Sequence, residues 1–316
     1  MLERTMLPKV RYHRLPTEQS HPRSRSLDRL SLPALLRLMQ AQDAHVLQAV
    51  RKQHAQIARA IELITQSLRE GGRLFFVGAG TSGRLGVLEA AECPPTFHTS
   101  AMLVQAIMAG GRGAVFRSRE GAEDDRPSAR RIIRSKVKAA DVVVGISASG
   151  VTPFVDEALR ASTRRGATPI LITCHPRAPI SARLRIVLRV GPEILTGSTR
   201  LKAGTATKLV LNMLTLGAMA QLGKTYGQLM VDVRPTSRKL TARAIGIIRA
   251  VTHQSDRAAA TALRAAHGRV KLAILMAHDG LSYAAAWRRL QSVNGSLRRA
   301  LAHRVRPLPR RVAGEV

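Results

Sequence analysis

Apolar residues recur every three to four positions over 30–39 and again over 44–68, where Val46, Val50, Ile57, Ile61 and Ile64 share a face. That spacing predicts two helices. Gly71-Gly72 ends the pattern, and a short apolar run at 73–77 reads as a strand. It leads into the turn Gly78-Ala79-Gly80-Thr81-Ser82-Gly83 and a helix expected over about 84–91, which Pro94-Pro95 should close. The alternation then returns. A strand-like 103–108 precedes Gly110-Gly111 and a helical stretch reaching Ile133; a β-branched run at 141–146 precedes Ser147-Ala148-Ser149-Gly150 and a helix opening near Pro153. Residues 169–173 and 186–190 read as further strands. Short, continuous apolar strands alternating with helices imply an α/β fold, a doubly wound parallel sheet covered on both faces.

After Gly204 the pattern is helical throughout. The longest apolar run, 209–222, is interrupted by Asn212, Thr215 and Gln221. It is shorter than the roughly 20 residues of a membrane span, so it reads as a buried helix. Because 203–222 is apolar on nearly every side, it is either covered within the monomer or paired with a second copy. Residues 240–302 are Ala-rich with helical periodicity broken at Gly268 and Gly280, which predicts a small all-helical C-terminal domain. The expected organisation is a basic flexible arm over 1–27, an α/β domain with N-terminal helices over 28–239, the helical domain over 240–303 and a basic tail over 304–316.

Composition narrows the chemistry. Of 316 residues 45% are hydrophobic and only 3% aromatic, so the core must be aliphatic. Cys93 and Cys174 have no CxxC spacing and the ten His form no HExxH, which supports neither a disulfide framework nor a metal site. The N-terminal stretch is basic, carries Pro8, Pro16 and Pro22, and lacks the apolar run of a leader. A cytoplasmic protein is expected. The net charge of +31 is spread along the chain with no zinc finger, aromatic RNA-binding pattern or basic recognition helix beside it. That predicts nonspecific, salt-sensitive adhesion to polyanions and no sequence-specific nucleic-acid partner.

Two loops join strands to helices, 78–83 and 145–152. At the carboxyl end of a parallel strand such a loop faces the ligand crevice. Its glycines admit an anion to the backbone, the helix N-terminus favours negative charge, and hydroxyls add donors suited to phosphate oxygens. Plain helix capping is the competing account of either loop alone. Gly78, Gly80 and Gly83 also match the dinucleotide spacing, but the acidic residue expected about 20 positions on is missing. Acidic residues number 20 against 51 basic ones, so their clustering is informative. Glu89 and Glu92 bracket the end of the helix after the first loop, and Glu120, Glu123, Asp124 and Asp125 follow Gly110-Gly111. These are either general acid–base carboxylates or surface partners of Arg84, Arg117, Arg119 and Arg126.

The segments 78–86, Glu92-Cys93-Pro94-Pro95-Thr96, Glu120-Gly121-Ala122-Glu123-Asp124, 145–150, 196–205, 208–214 and 229–233 together resemble, in order, the motifs of the N-acetylmuramic acid 6-phosphate etherase family. The resemblance runs from about Thr17 to His303. It implies a sugar isomerase (SIS) domain and a homodimer. It also implies a lyase that cleaves the D-lactyl ether of a muramic acid 6-phosphate without metal or redox cofactor. It places catalytic roles on Glu92 and Glu123. Substrate and phosphate contacts fall to Thr81, Ser82, Ser147, Ser149, Thr152, Ser198 and Lys202. Val151, His175, Thr207 and Ser237 depart from the family's usual residues. The glucokinase regulatory protein shares the architecture without catalysis, so a sugar-phosphate-binding regulator is the alternative, and an isomerase of the same fold a third reading.

Overall fold

A computed structural model describes residues 11–302. The expected tail at 304–316 and the first residues of the expected arm lie outside that range. Five strands form one all-parallel sheet: β1 (Leu74–Gly78), β2 (Val104–Met108), β3 (Val142–Ile146), β4 (Thr168–Thr173) and β5 (Leu184–Val187), in the order β2-β1-β3-β4-β5. The doubly wound α/β expectation is met. The helices are α1 (Leu32–Arg51), α2 (His54–Arg69), α3 (Gly80–Phe97), α4 (Gly113–Phe116), α5 (Arg126–Lys136), α6 (Pro153–Arg164) and α7 (Lys202–Gln221). Five more follow: α8 (Arg238–Thr252), α9 (Asp256–Ala265), α10 (Val270–Asp279), α11 (Tyr283–Ser292) and α12 (Leu297–Ala302).

The chain divides into two compact units. The first holds the sheet and comprises the chain up to Pro94 together with Thr99–Ala218; the second comprises Pro95–His98 and the chain from Met219 onward. In the sheet, alternate residues face opposite layers, as the two-residue period of a strand requires. Phe75, Val77, Val143 and Leu171 pack with Ile133, Val155 and Leu159 of α5 and α6. Phe76 and Ile146 point the other way, toward Gly86 of α3. Asp156 and Glu157 anchor α6 to α5 through Arg126 (2.7 Å) and Arg130 (2.8 Å).

Three boundaries differ from the expected ones. The break between the first two helices falls at Lys52-Gln53, not at 40–43. Gln40, Gln42 and Asp43 are polar but compatible with helix, whereas the Gln53 side chain leaves the helical path to accept the Val187 N–H of edge strand β5 at 3.0 Å. Helix α3 starts at Gly80 and runs through Pro94-Pro95 to Phe97. The prolines withdraw donors from the carbonyls of Ala90 and Ala91 only in the final turns, where Ala91 and Pro95 are exposed and water can substitute. The expected helical stretch up to Ile133 is instead the single turn α4, a short 3-10 turn at Ala122–Asp124 and α5, because Gly110, Gly111 and Gly121 hold positive φ. Residues 12–29, most of them in the expected arm, form four short 3-10 turns in which Leu15, Thr17 and His21 are buried.

The second unit is helical, as expected. Helices α8, α9 and α11 open on Ser237, Ser255 and Ser282, whose hydroxyls accept the backbone N–H three residues on, each at 3.3 Å. Gly268 and Gly280 break the pattern where expected; His253, with positive φ, adds a break that carries no glycine, and Asn294-Gly295 adds another, both residues at positive φ.

Candidate active site

In a sheet of this strand order the chain turns one way after β1 and the other way after β3. The crevice at their carboxyl ends is therefore the open ligand position of the fold. Both hydroxyl-bearing loops end there. After β1 the backbone closes tightly: a Cβ on Gly83 would stand 2.6 Å from the Gly78 carbonyl oxygen and 2.4 Å from Met108 Sδ, and one on Gly86 would stand 2.8 Å from Phe76 Cβ. Glycine at these positions lets α3 begin directly on the strand end, with its free N–H groups aimed into the crevice. Thr81 and Ser82 occupy that first turn, half-buried. Gly204 of α7 faces Thr81, whose methyl would lie 3.7 Å from a Cβ there.

After β3, three hydroxyls converge. Ser147 Oγ lies 2.8 Å from Thr152 Oγ1 and 3.5 Å from Ser149 Oγ, and it accepts the Gly150 N–H at 3.1 Å. Gly150 has φ +72°, and a Cβ there would come within 2.6 Å of Ala178 Cβ. Thr152 is the N-cap residue of α6, yet its side chain accepts no capping hydrogen bond. The hydroxyls are thus gathered on one another in front of a helix N-terminus, ready to be turned toward an anion. His175 stands beside this loop with its backbone N–H on Thr173 Oγ1 (3.1 Å), and burial holds its imidazole below the usual basicity.

Glu123 lines a cavity of about 130 Å³ together with Ala79, Gly80, Met108, Arg84 and Glu120. Arg84 builds one wall by donating to the Val115 and Ala114 carbonyls at 2.8 and 3.0 Å. Arg126 goes to Asp156. Among the described residues neither Glu92 nor Glu123 enters an ion pair, in a chain with 51 Lys and Arg. The surface-pairing account of these two carboxylates is therefore not what the structure contains.

The other expected site residues are distributed. Glu92 is exposed on α3, 12 residues past Gly80, which at 1.5 Å per residue puts it about 18 Å along the helix from the loop. It follows Leu88 by one helical turn, and Leu88 is 48% exposed. Ser198 is half-buried in the turn before α7, with its N–H on the Leu195 carbonyl at 3.0 Å. Lys202 opens α7 with its side chain buried; its ammonium donates to Gln42 Oε1 at 3.0 Å and lines a separate cavity that includes no residue of either loop. Of the departures, Val151 and Thr207 are buried and Ser237 caps α8.

Sequence reasoning offered Glu89 as an acid–base carboxylate or a surface partner of arginine, and its actual partners lie elsewhere. It is buried on α3, accepts Asn212 Nδ2 at 2.7 Å, and takes a very short hydrogen bond from the Thr215 hydroxyl. The available signal was the pair Asn212 and Thr215, polar positions one turn apart in an otherwise apolar helix. Glu193 was missed as well: its carboxylate accepts the backbone N–H groups of Lys202 (3.1 Å) and Ala203 (2.9 Å), closing the start of α7.

Family models for the glucokinase regulatory protein N-terminal SIS domain and for the SIS domain match residues 56–163 and 125–217. Among solved structures, a phosphoheptose isomerase from Neisseria gonorrhoeae is 23% identical and covers 60% of this chain and 100% of its own, with a TM-score of 0.48. An N-acetylmuramic acid 6-phosphate etherase from Synechocystis is 51% identical over 290 residues, 91% of this chain and 95% of the relative. One from Gloeobacter violaceus is 52% identical over 291 residues with the same coverage. With half its residues shared over nearly its whole length, the chain belongs to the N-acetylmuramic acid 6-phosphate etherase family.

Proposed function

We propose that this chain is a lyase that cleaves the D-lactyl ether of N-acetylmuramic acid 6-phosphate, releasing D-lactate and N-acetylglucosamine 6-phosphate. The observation that carries the reading is the pairing of a hydroxyl cluster at one strand end with an unpaired carboxylate, Glu123, in the cavity at the neighbouring strand end. Ser147, Ser149 and Thr152 take the 6-phosphate at the N-terminus of α6, while Thr81, Ser82 and Ser198 contact the sugar. In the open-chain sugar the C1 aldehyde acidifies the C2 hydrogen. Glu123 removes that proton, the C3–O bond breaks, and Glu92 gives its proton to the departing lactyl oxygen. Water then adds its hydroxyl to C3 of the unsaturated aldehyde and C2 regains a proton. The atoms balance with no external oxidant or reductant.

C2 and C3 are adjacent, so the two carboxylates must stand within several ångströms of each other, as paired carboxylates flanking one bond do. Glu92 lies too far along α3 to serve its own subunit's loop. Leu88 on α3, and Met213 and Leu216 on α7, which Glu89 of α3 joins through Asn212, are exposed at 48%, 37% and 55%. A homodimer that buries this apolar face brings the partner's Glu92 to the site; symmetric pairing supplies both sites at once. The enzyme is read as cytoplasmic, where a sugar 6-phosphate is available. The direct test is incubation of the purified protein with N-acetylmuramic acid 6-phosphate and an assay for D-lactate. Tight binding of the sugar phosphate with no lactate release would replace the lyase by a regulator.

A further inference from the structure

Another cavity in the sheet unit, about 650 Å³ and larger than the one beside Glu123, lies between α1, the end of β5 and the start of α7. Its size falls in the range of small-molecule pockets. Its lining is strongly one-signed: Lys52, Arg189 and Lys202 are basic, and His21 and His45 stand beside them. No carboxylate is among the lining residues.

Lys202 supplies the independent observation. Its residue exposure is 2%, and its ammonium has one acceptor, the Gln42 amide oxygen. Among the described residues no carboxylate lies within ion-pair distance of it. The oxygens of the nearby Glu193 are committed to the backbone at the start of α7. A buried ammonium carries three donors and is costly to desolvate without a counter-charge. Burial accordingly lowers the basicity of Lys202, with Glu193 and Asp43 only partly opposing. The group is held in place at a cost that an anion in the cavity would offset.

We infer that this cavity is a second ligand site, distinct from the sugar-phosphate loops, for a small molecule bearing two phosphoryl groups. Three basic side chains around one opening match the charge of a diphosphate better than that of a single phosphate. Lys202 reaches it from the floor; Lys52 and Arg189, both exposed, reach it from the rim. The Gln42 amide fixes the ammonium, and His21 is oriented by accepting the Arg23 N–H at 3.2 Å.

Calorimetric titration of the full chain with inorganic pyrophosphate at fixed ionic strength tests the site. Arg189→Gln and Lys52→Gln should each weaken binding by roughly 5- to 10-fold, a charge-assisted hydrogen bond reduced by solvent screening at the exposed rim. Lys202→Gln should weaken it further, its fold checked by circular dichroism. The rim variants keep the test decisive if Lys202→Gln does not fold. Arg131→Gln, on α5 outside the cavity, should leave pyrophosphate affinity unchanged. The inference is overturned if the wild-type chain shows no binding, if Arg131→Gln weakens binding as much as Arg189→Gln, or if Ser149→Ala alone abolishes it. Orthophosphate binding as tightly as pyrophosphate would overturn the diphosphate class.

Discussion

Mixing two inactive variants tests how the reacting pair is assembled. Glu92→Gln and Glu123→Gln should each release D-lactate at least 10²-fold more slowly than the wild-type protein, the usual loss when an acid–base group is removed. Along α3, Glu92 is about 18 Å from the loop that borders Glu123's cavity. If each site takes its base from one subunit and its acid from the partner, a mixed dimer has one site with both carboxylates intact and one with neither. Random exchange makes half the dimers mixed, so co-expressed or co-refolded variants should recover about one quarter of wild-type specific activity. If both carboxylates act from one subunit, every site in the mixture is broken. Activity that stays at the level of the parent variants, with exchange verified by differential tagging, would refute the shared site. Solvent deuterium separates the roles further: Glu92→Gln should still exchange the C2 hydrogen, and Glu123→Gln should not.

Ser149→Ala should weaken binding of a 6-phosphate sugar by about 1–3 kcal/mol, the loss of one hydrogen bond to a charged group; unchanged affinity by calorimetry would move the phosphate elsewhere. Gly83→Ala should destabilise by about 1–3 kcal/mol or more in urea unfolding, since the new methyl meets the Gly78 carbonyl oxygen at 2.6 Å and α3 must shift; wild-type stability would show that the helix start has slack. Burial pushes the Glu157 carboxyl up, but hydrogen bonds from Arg130 and Arg164 outweigh it and hold it below its ordinary value. That stabilisation is present above the unfolded-state value near 4.3 and fades as pH falls through the folded one, so the stability gap between wild type and Glu157→Gln should shrink between about pH 7 and pH 3. A gap that stays constant with pH would contradict the assignment.

The local half of this protein was readable in its sequence. The strand, glycine turn and helix at 74–97 and the strand, serine loop and helix at 142–164 each announce themselves within a few residues, because φ, hydroxyl type and apolar run length are local properties. Their convergence was readable only as a class expectation for parallel sheets. What escaped was set by partners far along the chain. The kink at Gln53 answers to Val187, 134 residues on; Glu89 answers to Asn212 and Thr215; Lys202 answers to Gln42, 160 residues back. Helix α3 passes through Pro94-Pro95 because that stretch lies near its end and is partly solvated, which a rule about proline cannot weigh. The motif resemblance supplied Glu92 and Glu123 as a pair, but the length of α3 between Glu92 and the loop bordering Glu123's cavity is a geometric fact that motif order does not contain.

Asp141 forms a clasp at the foot of the sheet, and the clasp has a kinetic side. Asp141, 1% exposed, accepts the Arg73 backbone N–H at 2.9 Å, two guanidinium N–H groups of the same residue at 3.2 and 2.7 Å, and the Lys138 N–H at 2.7 Å. It ties together β1 and β3, the central neighbours of the sheet, across a sequence separation of 68 residues. Closing a loop of that length costs about 4 kcal/mol of chain entropy before any contact returns it. The inner pair therefore cannot zip from a local hairpin. It must wait until β2 and α5 have been laid down, and the nascent chain carries the open edge of β1 through that interval, in the manner of slow, high-contact-order parallel sheets.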